Sequence, residues 1–171
     1  MWFDIKRTLC ILLLIFLVDS GFTQTNEAPP DVAAAMLVKV IAFESNVSKE
    51  KEVTIYVLDA PEVIGELKKG IGKPIGKSTL SAVDSGSVLP VNVPSLLYIG
   101  SEAHLDSAMQ YTQAHQIPSV TGNPELVKKG VALGFGVGSD NKPKIFLNLS
   151  ASVKEGLEWN PAILKIAKTV K

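Results

Sequence analysis

The sequence predicts an α/β fold: a single three-layer domain with a mainly parallel sheet, helices on both faces and a C-terminal antiparallel hairpin. Three observations lead there. The short runs Val53–Leu58 and Ser95–Gly100 are apolar almost throughout, as strands buried on both faces are. Helical patterns alternate with such runs along the chain, which is the signature of parallel crossover units. Near the end, Ala132–Gly138 and Lys144–Leu149 alternate with period two on either side of the turn-forming run Ser139-Asp140-Asn141-Lys142-Pro143.

The first residues are not part of that domain. Lys6 and Arg7 are basic, Leu9–Val18 is apolar, and residues 20–24 are small or polar, so 1–23 reads as a secretory signal peptide. Neither this run nor any later one is long enough to span a bilayer comfortably, so the mature chain is expected to be exported, soluble and without direct membrane insertion. Residues 24–30 read as a polar, proline-bearing tether and 31–171 as the domain. Asp31 is expected to cap a helix from Val32 to about Glu44, with Met36, Leu37, Val40, Ile41 and Phe43 as its apolar positions. Ser45–Glu52 follows as a charged loop. After the first buried strand, Asp59 is expected to cap a helix through Lys69 with Pro61 in its first turn. Lys73–Val83 reads as a short, partly exposed strand and Asp84–Pro94 as a linker. Past the second buried strand, Glu102–His115 has a helical pattern and Ile117–Gly122 a third strand. Asn123 is placed to cap Pro124–Lys129, which Gly130 ends. Beyond the hairpin, Ser150–Glu155 reads as a turn or two of helix, and Asn160 as the cap of a helix over Pro161–Val170.

Removing the signal peptide removes the only cysteine, Cys10, and the only arginine, Arg7. The mature chain therefore has no disulfide, thiolate nucleophile or Cys-ligated metal, and no bidentate reader of phosphate. Acidic and basic residues balance at 17 each over the whole chain, which gives no field for nucleic acid. Gly70–Ser78 (GIGKPIGKS) suggests a phosphate loop, but its first glycines miss the required spacing and it leads into strand-like sequence. It reads as a hairpin or edge strand. His104 and His115 lie about three turns apart on one helix, roughly 16 Å, too far to share a metal, and read as surface residues. Glu50 with Glu52 and Glu155 with Glu158 read as solvated charges, and no group completes a triad with a serine. The expectation is a protein with no catalytic residue, no cofactor and no metal.

What remains is a glycine lane. Gly134, Gly136 and Gly138 alternate with Leu133, Phe135 and Val137; if the apolar sets of the hairpin share a face, Phe146 and Asn148 lie across from the lane. Bare backbone in a strand implies that something approaches it closely, here either the C-terminal helix or another chain. Gly134, Gly136, Phe146 and Asn148 are thus candidate partner-binding residues. Trp159, the mature chain's sole tryptophan, is a packing staple before the Asn160 cap or a partner anchor.

The pattern of these residues resembles a known family. Phe135-Gly136 on the glycine-rich strand, Ile145–Ala151 (IFLNLSA), Gly156-Leu157 and Ala162–Ala167 (AILKIA) are similar to the C-terminal signature of the YfiR-like periplasmic family. Ala33–Phe43 resembles its opening helix and Leu96–Ser101 its central strand. The resemblance implies a periplasmic, often homodimeric α/β domain that acts as a non-enzymatic regulator. The partner it implies is the periplasmic region of an inner-membrane diguanylate cyclase, and the output cyclic-di-GMP signalling. Two departures stand out: the cysteines of well-known members are missing, and Glu44-Ser45-Asn46 replaces the aromatic and proline that commonly close the first helix. A second hypothesis is a small-ligand module like one lobe of a periplasmic substrate-binding protein, with its ligand around Gly100–Glu102 and Gly122–Asn123. A third, an exported hydrolase, has no constellation of residues behind it.

Overall fold

A computed structural model of the protein describes residues 26–170. The signal-peptide reading, with Cys10 and Arg7, lies outside these residues. The strands are β1 (Asn26–Glu27), β2 (Glu52–Leu58), β3 (Pro74–Ile75), β4 (Ser78–Gly86), β5 (Leu96–Ile99), β6 (Ser119–Thr121), β7 (Leu133–Val137), β8 (Pro143–Asn148) and β9 (Ala167–Val170). The helices are α1 (Pro30–Val40), α2 (Pro61–Lys68), α3 (Leu105–His115), α4 (Pro124–Lys128) and α5 (Leu149–Lys154), with 3-10 turns at Ile41–Phe43, Val47–Lys49 and Pro161–Lys165.

Among the described residues the strands form one sheet in the order β3-β4-β2-β5-β6-β7-β8-β9, with β1 also on β7. Strands β4, β2, β5, β6 and β7 are mutually parallel, whereas β3–β4 and β7–β8 are antiparallel hairpins. Alternation along the central strands sends side chains into two apolar layers, as expected of a parallel sheet covered on both sides. On one face Val53, Ile55, Val57, Leu96, Tyr98, Val120, Leu133, Phe135 and Leu147 pack with Leu37 of α1 and Leu67 of α2. On the other, Leu58, Leu97 and Ile99 pack with Leu105 and Ala108 of α3 and Leu126 of α4. This is the three-layer α/β architecture that the alternating pattern predicts.

Several local expectations are corrected. The α1 helix starts at Pro30 behind Pro29, with no side-chain cap; Asp31 lies in its first turn, where it complements the helix dipole. Asp59 does not cap α2 either. It sits in the left-handed region (φ 54°), and its carboxylate faces His104 Nδ1 at 2.7 Å. The supposed linker begins later than expected, because Asp84–Gly86 continue β4 alongside Tyr56–Leu58. Within the expected tether, Asn26 and Glu27 pair antiparallel with Val137 and Gly136. At the C-terminus, Asn160 does cap, its Oδ1 accepting the Ala162 N–H at 2.9 Å, but the helix stops after one 3-10 turn. Residues 167–170 instead run parallel to β8, where the open sheet edge supplies backbone partners that a short terminal helix lacks. The stretch with the false phosphate-loop spacing is the β3–β4 hairpin, with Gly76 (φ 61°) in its turn.

Candidate functional site

The β7–β8 hairpin has the register that alternation predicts. Leu133 faces Leu147, Gly134 faces Phe146, Phe135 faces Ile145 and Gly136 faces Lys144. Its glycine lane is approached within the chain itself, and not by the expected C-terminal helix: a methyl group at Gly134 would overlap Val127 Cγ2 of α4, and one at Gly138 would meet the Asp140 and Lys144 side chains. Gly134→Val is therefore expected to cost about 1–3 kcal/mol through overpacking, read as a lower urea midpoint at unchanged slope.

Burial decides what the other candidates do. Phe146 and Asn148 are each 5% exposed, so they are not the projecting residues that the sequence suggested. Asn148 joins three elements: Oδ1 accepts the Ala151 N–H at 2.9 Å and caps α5, while Nδ2 donates to the Val127 carbonyl at 2.9 Å. Gly136 is held between Lys144 and Glu27 in the sheet. Trp159 is half-buried; its indole N–H donates to Ser152 Oγ at 3.0 Å, and that hydroxyl donates to the Asn148 carbonyl at 2.8 Å. The structure thus gathers Gly134, Phe146 and Asn148 around α4 as interior packing.

The apolar groups at the surface are different ones. Ile166, 55% exposed, lines a groove of about 440 Å³ at the turn end of the hairpin, and Leu164, two residues before it, is 49% exposed. Phe146 lies at this groove, with Asp140, Lys144, Ile166 and Lys168 along it. The Lys142 backbone N–H, with Lys144 beside it, holds the Asp140 carboxyl below its ordinary range. Leu149 and Val153, four residues apart on α5, are also exposed. Sequence placed Leu149 on the core face of β8; the Asn148 cap turns the chain into helix one residue earlier.

The segment Glu44-Ser45-Asn46, where the chain departs from the family pattern, docks on the chain's own C-terminal region. Glu44 is fully buried, and its carboxylate accepts the Val47 N–H at 2.8 Å and the Glu158 N–H at 3.1 Å. The Ser45 N–H donates to the Glu158 carbonyl at 2.8 Å and the Asn160 N–H to the Phe43 carbonyl at 2.8 Å. Here a buried carboxylate joins two segments through backbone donors, without a hydrogen-bonded cation.

Glu155 is a second correction, since it is buried (1% exposed) and not a solvated charge. Its Oε1 accepts the Thr112 hydroxyl at 2.7 Å and its Oε2 the Ser119 N–H at 3.0 Å. Burial pushes the carboxyl up to about 7, against the smaller opposing effect of these hydrogen bonds. Neither buried glutamate carries a motif; only the tertiary fold reveals them.

At the strand ends proposed for a small ligand, both glycines are closely packed. A side chain at Gly100 would overlap the Asp59 carbonyl, and one at Gly122 would meet the Tyr98 hydroxyl. Burial, with the charges of Glu27 and Glu62, pushes that hydroxyl well above the usual tyrosine range. A groove of about 320 Å³ lies alongside, at the ends of β2 and β4, bordered by Asp59, Pro61, Ile64 and Ser85.

No curated protein matches the chain. Among solved structures, a conserved domain protein from Vibrio cholerae O1 biovar El Tor is similar in fold, with a TM-score of 0.55 at 12% identity, over 85% of this chain and 61% of that one. The ABC domain from Streptococcus pneumonia, solved in complex with L-Trp, has a TM-score of 0.53 at 12% identity, over 84% of this chain and 60% of its own. The chain therefore spans about three-fifths of the length of each, and at such identities the likeness concerns the fold alone. A sequence match carries more than the fold: the YfiR/HmsC-like family matches residues 30–168, from the first residue of α1 to the second of β9. The chain belongs to the YfiR/HmsC-like family.

Proposed function

We propose that the mature chain is an exported, non-enzymatic regulatory protein of the periplasm. It would bind the periplasmic region of a membrane-bound diguanylate cyclase and so adjust cyclic-di-GMP output. Family membership across residues 30–168 carries this reading. The partner surface that fits it best is the groove at the turn end of the β7–β8 hairpin. Ile166 offers exposed apolar area there beside Pro143 and Ile145, Leu164 flanks it two residues earlier in the chain, and Lys144 and Lys168 form a charged rim. An apolar centre with a polar rim is the common anatomy of a protein–protein contact.

The test is co-purification of the cyclase from the envelope fraction. Wild type is expected to retain it, and Leu164→Glu with Ile166→Glu to lower retention by roughly tenfold or more, because charges would enter the desolvated centre. Folding of the variant is checked by its unfolding midpoint. If wild type retains no cyclase, the reading fails. If the double variant retains it fully, the partner surface lies elsewhere.

The groove beside Asp59 favours a second reading, a small-ligand module, but it is bordered mainly by apolar side chains and serines. Saturable calorimetric heat with a panel of small metabolites, unaffected by the Leu164 and Ile166 changes, would favour it over the first.

A further inference from the structure

The surface proposed above makes no use of Glu155, yet a buried carboxyl needs an explanation. It stands at the end of α5 and touches two other elements: Thr112 of α3 and Ser119 of β6. The Thr112 hydroxyl has two acceptors within reach, Glu155 Oε1 at 2.7 Å and the Met109 carbonyl at 3.1 Å, but only one hydrogen to give. Two complete hydrogen-bond patterns follow. With an ionised carboxylate, the hydroxyl points at Glu155 and leaves Met109. With a protonated carboxyl, Glu155 donates to Thr112 Oγ1, the hydroxyl turns to Met109, and Oε2 still accepts the Ser119 N–H.

The protonated pattern satisfies every partner without a charge in the interior; the ionised one leaves a buried carboxylate whose donors, the Thr112 hydroxyl and the Ser119 hydroxyl and N–H, are outweighed by the loss of water. No cation compensates it by a hydrogen bond. On the elements packed against the site, His115 of α3, Lys154 of α5 and Glu158 beyond it are exposed, and the Tyr111 hydroxyl has no hydrogen-bond partner. Strand β6 and residues 131–133 bring no titratable group. Besides the Asn148 cap at its start and the Trp159–Ser152 hydrogen bond, α5 has a small apolar footing: of its residues only Ala151 and Ser152 are buried, and the apolar cluster beneath it comprises Ala132, Ala151 and Leu157, with Trp159 alongside.

We propose that Glu155 is a proton-operated latch, which holds α5 and residues 155–159 against α3 and β6 when protonated and loosens them when ionised. Burial already pushes the carboxyl up to about 7, so the exchange falls in the neutral range. The latch is independent of any partner, although α5 carries the exposed Leu149 and Val153 and its release would move both.

The test is amide hydrogen exchange of the whole protein between pH 5.5 and 8.5, corrected for the intrinsic dependence of exchange on pH. It is paired with a carbon-13 NMR titration of the Glu155 carboxyl. Protection of the Glu155, Gly156 and Leu157 amides, which donate to Ala151, Val153 and Ser152, is expected to fall roughly tenfold across the range. Amides of β5, which open only with the whole fold, are expected to share that loss of stability but to stay far better protected than residues 155–157 at every pH. Glu155→Gln should keep the latch closed throughout, because its amide donates to Thr112 and accepts from Ser119 as the protonated acid does. A carboxyl titrating in the ordinary carboxylate range overturns the proposal, as does wild-type protection that does not change with pH. Should the glutamine variant fail to fold, the wild-type titration and exchange decide alone.

Discussion

Phe135→Ala is expected to cost about 3–5 kcal/mol of stability, the upper end of what truncating one core side chain does. Phe135 heads the fully buried side chains and stands on β7, with Ile145 of β8 opposite it. It packs in the apolar layer that α1 shares with the central strands. Truncation removes the transfer energy of the ring and leaves a void, and the layer cannot collapse to fill it while the β7–β8 ladder fixes the backbone. For a domain of this size the thermal midpoint should fall on the order of 10 °C. Chemical unfolding at constant slope checks the value. A cost below about 1 kcal/mol would mean that β7 is not the interior strand described.

The second large effect is on pH dependence. Glu155 is raised from an ordinary 4.5 to about 7 in the folded protein. Between these values the folded state holds a proton that the unfolded state has lost, so stability falls as pH rises through the window. Below it the group contributes no penalty, and above it the full penalty is present. Across the window the loss is about 3 kcal/mol. Denaturant unfolding at pH 5 and pH 8 measures it, and Glu155→Gln is expected to flatten the difference. Asp140 works in the opposite sense: its carboxyl is lowered in the folded state, so whatever it contributes disappears only in acid, below the Glu155 window. A wild-type protein equally stable at pH 5 and pH 8 would exclude a buried, charge-penalised Glu155.

The elements that were legible in the sequence are those set by local chemistry. Val53–Leu58 and Leu96–Ile99 declare themselves as central strands because neither face can be polar when helices cover both. Asn123 and Asn160 are readable as caps because each is followed by a proline that suits the first helical turn, and both side chains accept the N–H two residues on. The hairpin register followed from alternation, since a slip of one residue would turn Phe135 and Leu147 out of the core.

Other features depended on partners distant in sequence. Residues 161–170 carry a cap and a helical apolar pattern, yet the free edge of β8 draws the last four into strand β9. No motif marks Glu44 or Glu155 as buried: Glu44 has one near donor, the Val47 N–H, but its other donor comes from Glu158, and those of Glu155 come from Thr112 and Ser119. The glycine lane was recognised as a close approach, but the group that approaches Gly134, Val127, sits on a helix that precedes the hairpin. By itself, then, the sequence determined the fold class, the strand register and the family likeness, because periodicity and turn chemistry act between near neighbours. Only the tertiary structure decided which apolar residues face outward, which acids are buried and what fills the lane, because burial is set by the whole packed chain.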